Sequence, residues 1–487
     1  MTSIKKNFFY SSILTTANYI FPFITYPYVS RVLGVTNIGI CNFIDSIINY
    51  YILFSMMGIG IVGIREIAKS KNNKEELDKT FSGLIILNTL STSLMLIVLI
   101  ISIYTIPKLY EYKEMMYLGA LKLVANYLLI EWLYKGLENF KYITIRTVLV
   151  KCLYVLSVFL FVHEAEDYPI YYALLVGMIV INAIFNVLYA RHFVSFRYDC
   201  RVIIQTCFKP FLVLGIYALL TSMYTSFNVA YLGFVAGETE VGYYTTATKF
   251  YSIFLALFSA FTGVLLPRMS SLIAENKVDE FKLLLNKSVD ILITFSIPVI
   301  LFTMIMAPEL IELIAGKGYE GAIIPFRIIM PLMLIIGYEQ ILIIQALMPL
   351  KEDKIILKNS ILGASIGLTL NIVLVNQYQS IGSSIVWVVS ELIVLISTLY
   401  AVNKCLSLKF PIKSLGKQIS AYLPIIILLC WISICSEMSM LLKLLIGSIL
   451  MIKYMFIILL FVEKNTVIVN MFSRLKEKCN YILNANC

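Results

Sequence analysis

The chain has 487 residues, of which 60% are hydrophobic and only 14% are charged, and its mean hydropathy is +0.87. A soluble globular domain has about 25% charged residues. This composition excludes a soluble enzyme, a disordered chain and a disulfide scaffold, and it indicates an integral membrane protein with many spans. The formal net charge is +10, and in such a protein the positions of the cations predict the topology.

The apolar runs predict an all-α, polytopic membrane protein with about fourteen transmembrane helices. A helix needs about 20 mainly apolar residues to cross the hydrocarbon core of a bilayer. The predicted spans lie near residues 8–29, 38–63, 81–105, 115–134, 142–162, 169–190, 211–235, 241–266, 288–308, 323–348, 360–378, 381–402, 419–436 and 441–462.

The basic residues fall in alternate loops. They precede span 1, follow spans 2, 6, 8, 10 and 12, surround the turn between spans 4 and 5, and fill the tail. The opposite side has only Arg31, Lys108, Lys113, Lys317 and Lys443. Because positively charged loops stay in the cytoplasm, both termini are predicted to be cytoplasmic.

Several absences narrow the function. The chain has two histidines, and its nine cysteines show no metal-ligand spacing, so we predict no metal site and unpaired thiols. It has no GxxxxGK[ST] loop, which argues against an ATPase of its own. The predicted outer loops are too short for a large external active site. We therefore expect no catalytic residues, no cofactor and no nucleic-acid partner. Whether an ion, H⁺ or Na⁺, is coupled to the activity stays open.

An internal repeat appears when the sequence is shifted by 203 residues, so that residues 28–79 face residues 231–282. The identical pairs include Gly34/Gly237, Thr36/Thr239, Gly39/Gly242 and Arg65/Arg268. Six predicted spans separate the copies, so the two halves have the same orientation. This pattern predicts two six-helix lobes related by an axis along the membrane normal.

We place the lobes at residues 1–209, with spans 1–6, and 210–404, with spans 7–12. Residues 405–487 hold two peripheral helices, spans 13 and 14, and a cytoplasmic tail.

Polar residues recur on one face of the paired spans 1 and 7, and again on spans 2 and 8. Polar side chains inside a membrane are costly and usually face the bundle interior or a wet cavity. Hydrogen bonding that holds helices together is the other interpretation. The candidate cavity residues are Asn18, Thr25, Asn42, Asp45, Asn49, Thr221, Thr225, Asn228, Thr245, Thr248, Lys249 and Ser252.

Two of these residues suggest a gate. The repeat maps Asp45 onto Thr248, which is beside Lys249, so the two charges should lie at similar depth on opposing lobes. Pairing across the lobe interface would reduce the cost of burying them. A purely structural role within each lobe is the alternative.

Several sequence segments resemble the bacterial polysaccharide flippases of the Wzx type. They include Arg31-Val-Leu-Gly34, Gly63-Ile-Arg65-Glu66, Glu131-Trp132-Leu-Tyr134, Gly242-Tyr243-Tyr244 and Gln345-Ala-Leu-Met-Pro349. The resemblance covers roughly residues 1–400. These proteins belong to the multidrug/oligosaccharidyl-lipid/polysaccharide (MOP) superfamily, whose members form a V of two six-helix lobes.

The resemblance implies the substrate and the mechanism. A short oligosaccharide on undecaprenyl diphosphate would move from the inner to the outer leaflet of the bacterial cytoplasmic membrane by alternating access. The product would be O-antigen, capsule or exopolysaccharide, with polysaccharide polymerase and ligase as candidate partners beside the membrane lipids. The candidate diphosphate contacts are Arg31, Arg65, Lys122, Lys151 and Arg268.

Alternatives stay open for these cations. Lys122 and Lys151 could instead pair with Glu131, or their aliphatic stems could carry the ammonium groups to the polar interface. Arg65 and Arg268, at the cytoplasmic ends of equivalent helices, could form a cationic entrance or simply anchor the topology. Two other functions also stay open, namely a cation-coupled multidrug exporter of the same superfamily and a membrane polysaccharide polymerase or ligase.

Overall fold

The computed structural model describes residues 4–197, 201–406, 411–435 and 438–462, and these residues form helices joined by short loops. The helices are α1 (Ile4–Met56), α2 (Ile59–Ser70), α3 (Lys74–Thr105), α4 (Pro107–Glu111), α5 (Lys113–Leu128), α6 (Glu131–Gly136), α7 (Phe140–Phe161), α8 (Tyr168–Ala190), α9 (Arg201–Thr225), α10 (Phe227–Val235), α11 (Glu238–Ala274), α12 (Val278–Ile305), α13 (Ala307–Ala315), α14 (Ile323–Ile329), α15 (Leu332–Gln340), α16 (Asp353–Leu370), α17 (Asn376–Leu406), α18 (Ile412–Ile434) and α19 (Met440–Ile457). Short π-helical segments follow α15, α16 and α19.

The predicted all-α, polytopic membrane fold is confirmed. Within the described residues, ten helical segments are long and apolar enough to cross a membrane. Two of them, Phe9–Ser70 and Lys354–Leu406, each contain two predicted spans. These double segments are broken at Gly34 and at Gln379, where the backbone leaves the helical conformation.

The chain turns sharply at Gly34 and at Gly237, two positions that are 203 residues apart. Gly34 has φ 74° and ψ 171°, and Gly237 has φ 91° and ψ 177°. Glycine adopts this region readily because it has no Cβ atom, whereas other residues rarely do. The turns let spans 1 and 2, and likewise spans 7 and 8, follow each other with almost no loop between them.

Helix α1 packs against α11, and the two backbones come closest at Gly39 and Gly242. A methyl group added at Gly39 would overlap the carbonyl oxygen of Glu238, and one at Gly242 would overlap the carbonyl oxygen of Val35. The small residues therefore allow the close approach. We call this contact region, from Gly34 to Asn42 on α1 and from Gly237 to Thr245 on α11, the closed end.

In the described part of the chain the hydrophobic core has three parts. The largest surrounds the contact of α1 with α11 and extends to α5, α8, α13 and α14. A second part joins α2, α3 and α6 to the start of α9. The third joins α12, α15 and α17 to α18 and α19. The lobe boundaries at 209/210 and 404/405 stay a prediction, and both positions lie inside helices, α9 and α17.

Candidate functional site

A polar cavity of about 470 Å³ lies between α1 on one side and α9, α10, α11 and α17 on the other. We call it the central cavity. Its polar lining contains seven of the residues that the repeat predicted: Asn42, Asp45, Asn49, Thr245, Thr248, Lys249 and Ser252. The paired polar faces of spans 2 and 8 therefore meet around one space.

A second cavity of about 290 Å³ adjoins the first and lies between α1, α11 and α13. We call it the side cavity. Asn18, Pro22 and Tyr26 line it, and it shares Lys249 and Ser252 with the central cavity. Lys249 therefore reaches both spaces.

The ammonium group of Lys249 rests on an aromatic ring. Its Nζ lies 4.3 Å from the centre of the Tyr26 ring, which holds a cation over its electron-rich face. The Tyr26 hydroxyl is itself fixed by a 2.6 Å hydrogen bond with Thr246. None of the carboxylates in the described part of the chain lies within ion-pair distance of Lys249. Its charge is thus available to an anion that enters either cavity.

Asp45 does not pair with Lys249, contrary to the predicted gate. Its Oδ1 atom lies 2.5 Å from Nζ of Lys122, on α5. The same ammonium donates to Oδ1 of Asn49 at 2.9 Å, and the Asn49 amide donates to Oδ2 of Asp45 at 3.0 Å. Asp45 therefore pairs with Lys122, a residue of the same half of the chain, because α5 packs beside α1.

The closed triad of Asp45, Asn49 and Lys122 also bears on the predicted role of Lys122. The lysine is largely buried, and its donors are used by the aspartate and the asparagine. Its charge is balanced in this conformation, so Lys122 holds the cavity wall in place instead of presenting a free cation.

Lys151 and Glu131 have separate partners. Lys151 donates to Oδ1 of Asn18 at 2.6 Å, beside the side cavity. Glu131 pairs with Arg146 at 3.2 Å and with Lys135 at 3.0 Å. Pairing of Glu131 with Lys122 or Lys151, one alternative from the sequence, is therefore not found.

Two predicted cavity residues instead make contacts within the helix packing. Thr25 is buried and its hydroxyl donates to the carbonyl oxygen of Phe21 at 3.1 Å. Asn228 is fully buried, and its amide oxygen accepts a 2.7 Å hydrogen bond from Asn371. These contacts match the helix-joining interpretation. The side chains of Thr221 and Thr225 lie outside the described part of the structure.

Arg31 lies just before the closed end on α1 and lines neither cavity. Its guanidinium donates to the carbonyl oxygen of Pro27 at 2.6 Å, and to the carbonyl oxygens of Leu313 and Ile314 near the end of α13. Free carbonyls at a helix C-terminus attract cations. Arg31 therefore joins α1 to α13, and its role as a diphosphate contact stays a prediction.

Arg65 and Arg268 are exposed and each has an acidic neighbour. Arg65 pairs with Glu66 at 2.8 Å, and Arg268 lies 3.6 Å from Glu280. Exposed pairs of this kind contribute about 0–1 kcal/mol, so either arginine can exchange its partner for another anion. The cationic entrance stays a prediction.

The sequence analysis missed the aromatic part of the cavity wall. Tyr50, Tyr244 and Trp387 line the central cavity together with its polar residues. Trp387 lies outside the repeat segments that were compared. One sequence signal could have identified Trp387. It lies four residues before Glu391, and a Trp N–H and a carboxylate at that spacing share one helix face.

The fold defines a multi-pass membrane protein with a polar cavity between its helices. The lipid II flippase MurJ, in an inward closed conformation, has the same fold, with a TM-score of 0.74 at 15% identity over 93% of this chain and 99% of that one. A multidrug resistance MATE family transporter of the MOP superfamily, in an inward-facing conformation, gives a TM-score of 0.60 at 15% identity over 80% of this chain and 94% of its own.

Sequence comparison identifies the family. Residues 4–273 match the polysaccharide biosynthesis protein family, and the chain belongs to it. A protein of Escherichia coli (strain K12) named "Putative O-antigen transporter" is 25% identical over 398 residues, which are 80% of this chain and 95% of that protein. A protein of the same name from Shigella dysenteriae is 26% identical over 410 residues, which are 82% of this chain and 100% of its own. The expected family relationship is confirmed.

Proposed function

We propose that this protein moves oligosaccharide units linked to undecaprenyl diphosphate from the inner to the outer leaflet of the bacterial cytoplasmic membrane. The observation that carries the proposal is the polar cavity between α1 and α11 with the available cation of Lys249 in its wall. The names of the two sequence relatives and of the lipid II flippase support the same class of cargo.

The cavity lining fits the three parts of such a substrate. Lys249 is placed to attract the diphosphate, because an ammonium in a low-dielectric site binds a phosphate strongly. The hydroxyl oxygens of Thr248 and Ser252 can accept hydrogen bonds from sugar hydroxyls, and the Trp387 ring offers a face for stacking. The polyprenyl tail would stay in the lipid.

The proposed cycle uses alternating access between two lobes. In this structure the closed end would face outward and the loops that carry Arg65 and Arg268 would face the cytoplasm, with both termini on that side, as the distribution of cations predicts. The substrate would enter between the lobes near those two arginines. Separation of Gly39 from Gly242 would then open the outer side.

This function requires binding and release of an intact lipid and no covalent chemistry. Polysaccharide polymerase and ligase would act on the unit after it reaches the outer leaflet, and they remain candidate partners.

Deletion of the gene tests the proposal. The mutant should lose surface polysaccharide and accumulate lipid-linked repeat units on the inner face of the membrane. Wild-type protein and a Lys453→Met control should restore export, and Lys249→Met should restore little. Lys453 is an exposed lysine of α19 and lies outside both cavities.

Other outcomes distinguish the competing functions. Export of single, unpolymerised units would indicate a polymerase. Intact surface polysaccharide with altered tolerance to toxic cations would indicate a multidrug exporter. Either result would contradict the proposal.

A further inference from the structure

Two glutamates meet inside the second half of the chain. Glu339 lies near the end of α15 and Glu391 lies in the middle of α17, and their side chains are within hydrogen-bonding reach of each other. Glu339 is 7% exposed and Glu391 is 4% exposed. Neither residue belongs to the central cavity lining or to the matched repeat segments.

A hydrogen bond between two carboxyl groups requires a proton, because an ionised carboxylate has acceptors only. Two buried carboxylates within hydrogen-bonding reach of each other cannot both be charged. The pair therefore holds at least one proton. With one proton the pair carries a net charge of about −1, and a second proton makes it neutral.

Within the described residues, neither glutamate forms an ion pair with a lysine or an arginine. Besides Glu339, the titratable groups that face Glu391 in the described residues are Tyr244 and Tyr251 of α11. A buried negative charge without a counter-ion is costly, and a proton is the simplest ligand that removes it.

The backbone around Glu339 is also unusual. The α-helix changes to a π-helix over Ile341–Leu347, immediately after Gln340. Short π-helical segments are frequent at functional sites. In the described structure Oε2 of Glu339 is buried without a hydrogen-bond partner, as are both amide atoms of Gln345 in the π-helical segment. Oε2 is therefore an unsatisfied position at which a proton can be held.

Trp387 connects the glutamates to the transport cavity. Its indole Nε1 donates to Oε1 of Glu391 at 3.1 Å, and its ring lines the central cavity. Tyr251 also packs against Trp387, and the two rings meet edge-on with their centres 5.3 Å apart. A change of charge on Glu391 therefore acts directly on a residue of the cavity wall.

We propose that Glu339 and Glu391 form a proton-binding pair that couples proton uptake and release to movement of the cavity wall. When Glu391 is charged, it holds the Trp387 indole by a charge-assisted hydrogen bond. When the second proton binds, the acceptor becomes neutral, the bond weakens, and Trp387 is released to reorient. The coupling to substrate movement rests on the proposed function, whereas proton binding by the pair does not.

Infrared spectroscopy of the purified protein tests the proton site without any substrate. The wild type should show the carbonyl band of a protonated carboxylic acid that changes as the pH is varied across about 5 to 8. The Glu339→Gln/Glu391→Gln double variant should lose that change, and Glu309→Gln should keep it. Glu309 is a buried glutamate of the same half that is paired with Lys443 at 3.7 Å.

A glutamine in place of either glutamate keeps a hydrogen bond with its neighbour, so the variants should fold, which size-exclusion chromatography and thermal unfolding check. Absence of the pH-dependent band from the wild type, or its persistence in the folded double variant, would overturn the proposal. A band that responds to Na⁺ at constant pH would also overturn it, because it would show a metal-ion site.

Coupling of proton movement to substrate movement is measured separately in vesicles, where a pH-sensitive dye reports the pH gradient. A pH gradient should accelerate substrate movement by wild type and Glu309→Gln at least about tenfold, a change of about 1.4 kcal/mol in activation free energy, and should have no effect on Glu391→Gln. Equal acceleration of all three would contradict coupling. If none of the three proteins moves the substrate, the proposed function is contradicted, while the infrared result still stands.

Discussion

The hydroxyl groups of Thr36 and Thr239 lie 2.9 Å apart, and the two residues are 203 positions apart in the chain. Asn42 and Thr245, also 203 positions apart, form a second hydrogen bond of 3.1 Å. Residues near a two-fold axis touch their own symmetry equivalents, so these contacts are the ones that a parallel repeat predicts. The axis would pass between α1 and α11, through the closed end.

Disulfide formation at Thr36→Cys/Thr239→Cys should lock the closed end. The two hydroxyls already touch, so the thiols are close enough to join under mild oxidation. We expect the oxidised double variant to lose substrate movement and to recover it after reduction, as measured in vesicles. Each single variant is the control. Full activity of the cross-linked protein would show that the closed end does not open during transport.

Gly39→Ala should weaken the closed end, because the added methyl group overlaps the backbone of α11. Gly242→Ala should do the same against α1. We expect faster labelling of a cysteine at Thr36 by a water-soluble thiol reagent in either variant. Gly177→Ala is the matched control, since its methyl group meets no atom within 4 Å. Unchanged labelling in both closed-end variants would show that the close approach is not needed for closure.

Lys249→Met should abolish transport, and Lys249→Arg should keep part of it. The cation is the unpaired charge that both cavities share, so its loss removes the attraction for a diphosphate. We expect at least about a tenfold loss of binding for inorganic diphosphate, or about 1.4 kcal/mol. Equal binding by wild type and Lys249→Met, with normal folding, would remove Lys249 from the site.

Asp45 should be coupled to Lys122 and not to Lys249. Because Asp45→Asn leaves Lys122 buried with no counter-ion while Asp45 itself is partly exposed, we expect a loss of about 1–3 kcal/mol in unfolding free energy. In a thermal-unfolding double-mutant cycle, Lys122→Met should cancel much of that loss, whereas Lys249→Gln should add to it. Additive effects of Asp45→Asn and Lys122→Met would mean that the 2.5 Å pair contributes nothing.

The sequence predicts the fold well because membrane helices leave a strong local signal. Hydropathy places each of the predicted spans on a helix over most of its length, and the repeat marks Gly34 and Gly237, which both have positive φ. Breaks within spans are harder to predict. The turn at Gln379 falls in the predicted gap between residues 378 and 381, whereas the π-helix over Ile341–Leu347 lies inside a predicted span and contains no glycine or proline.

The site is predicted only in part, because tertiary packing decides which charged side chains meet. The repeat identifies which helix face is polar, so Asn42 and Thr245 are found. It does not identify the partner of each charge, because Lys122 reaches Asp45 from 77 residues away. The sequence left two interpretations open for Asn228, because a buried amide in a helix contact and a cavity amide have the same sequence pattern.

The central claim is that a lipid-linked oligosaccharide crosses the membrane through the cavity between α1 and α11. The most direct measurement is movement of a fluorescent undecaprenyl-diphosphate oligosaccharide between the leaflets of vesicles that contain the purified protein. We predict movement by the wild type and by the reduced Thr36→Cys/Thr239→Cys variant, and none by its oxidised form. Movement at the same rate in vesicles without protein, or through the oxidised variant, would contradict the account.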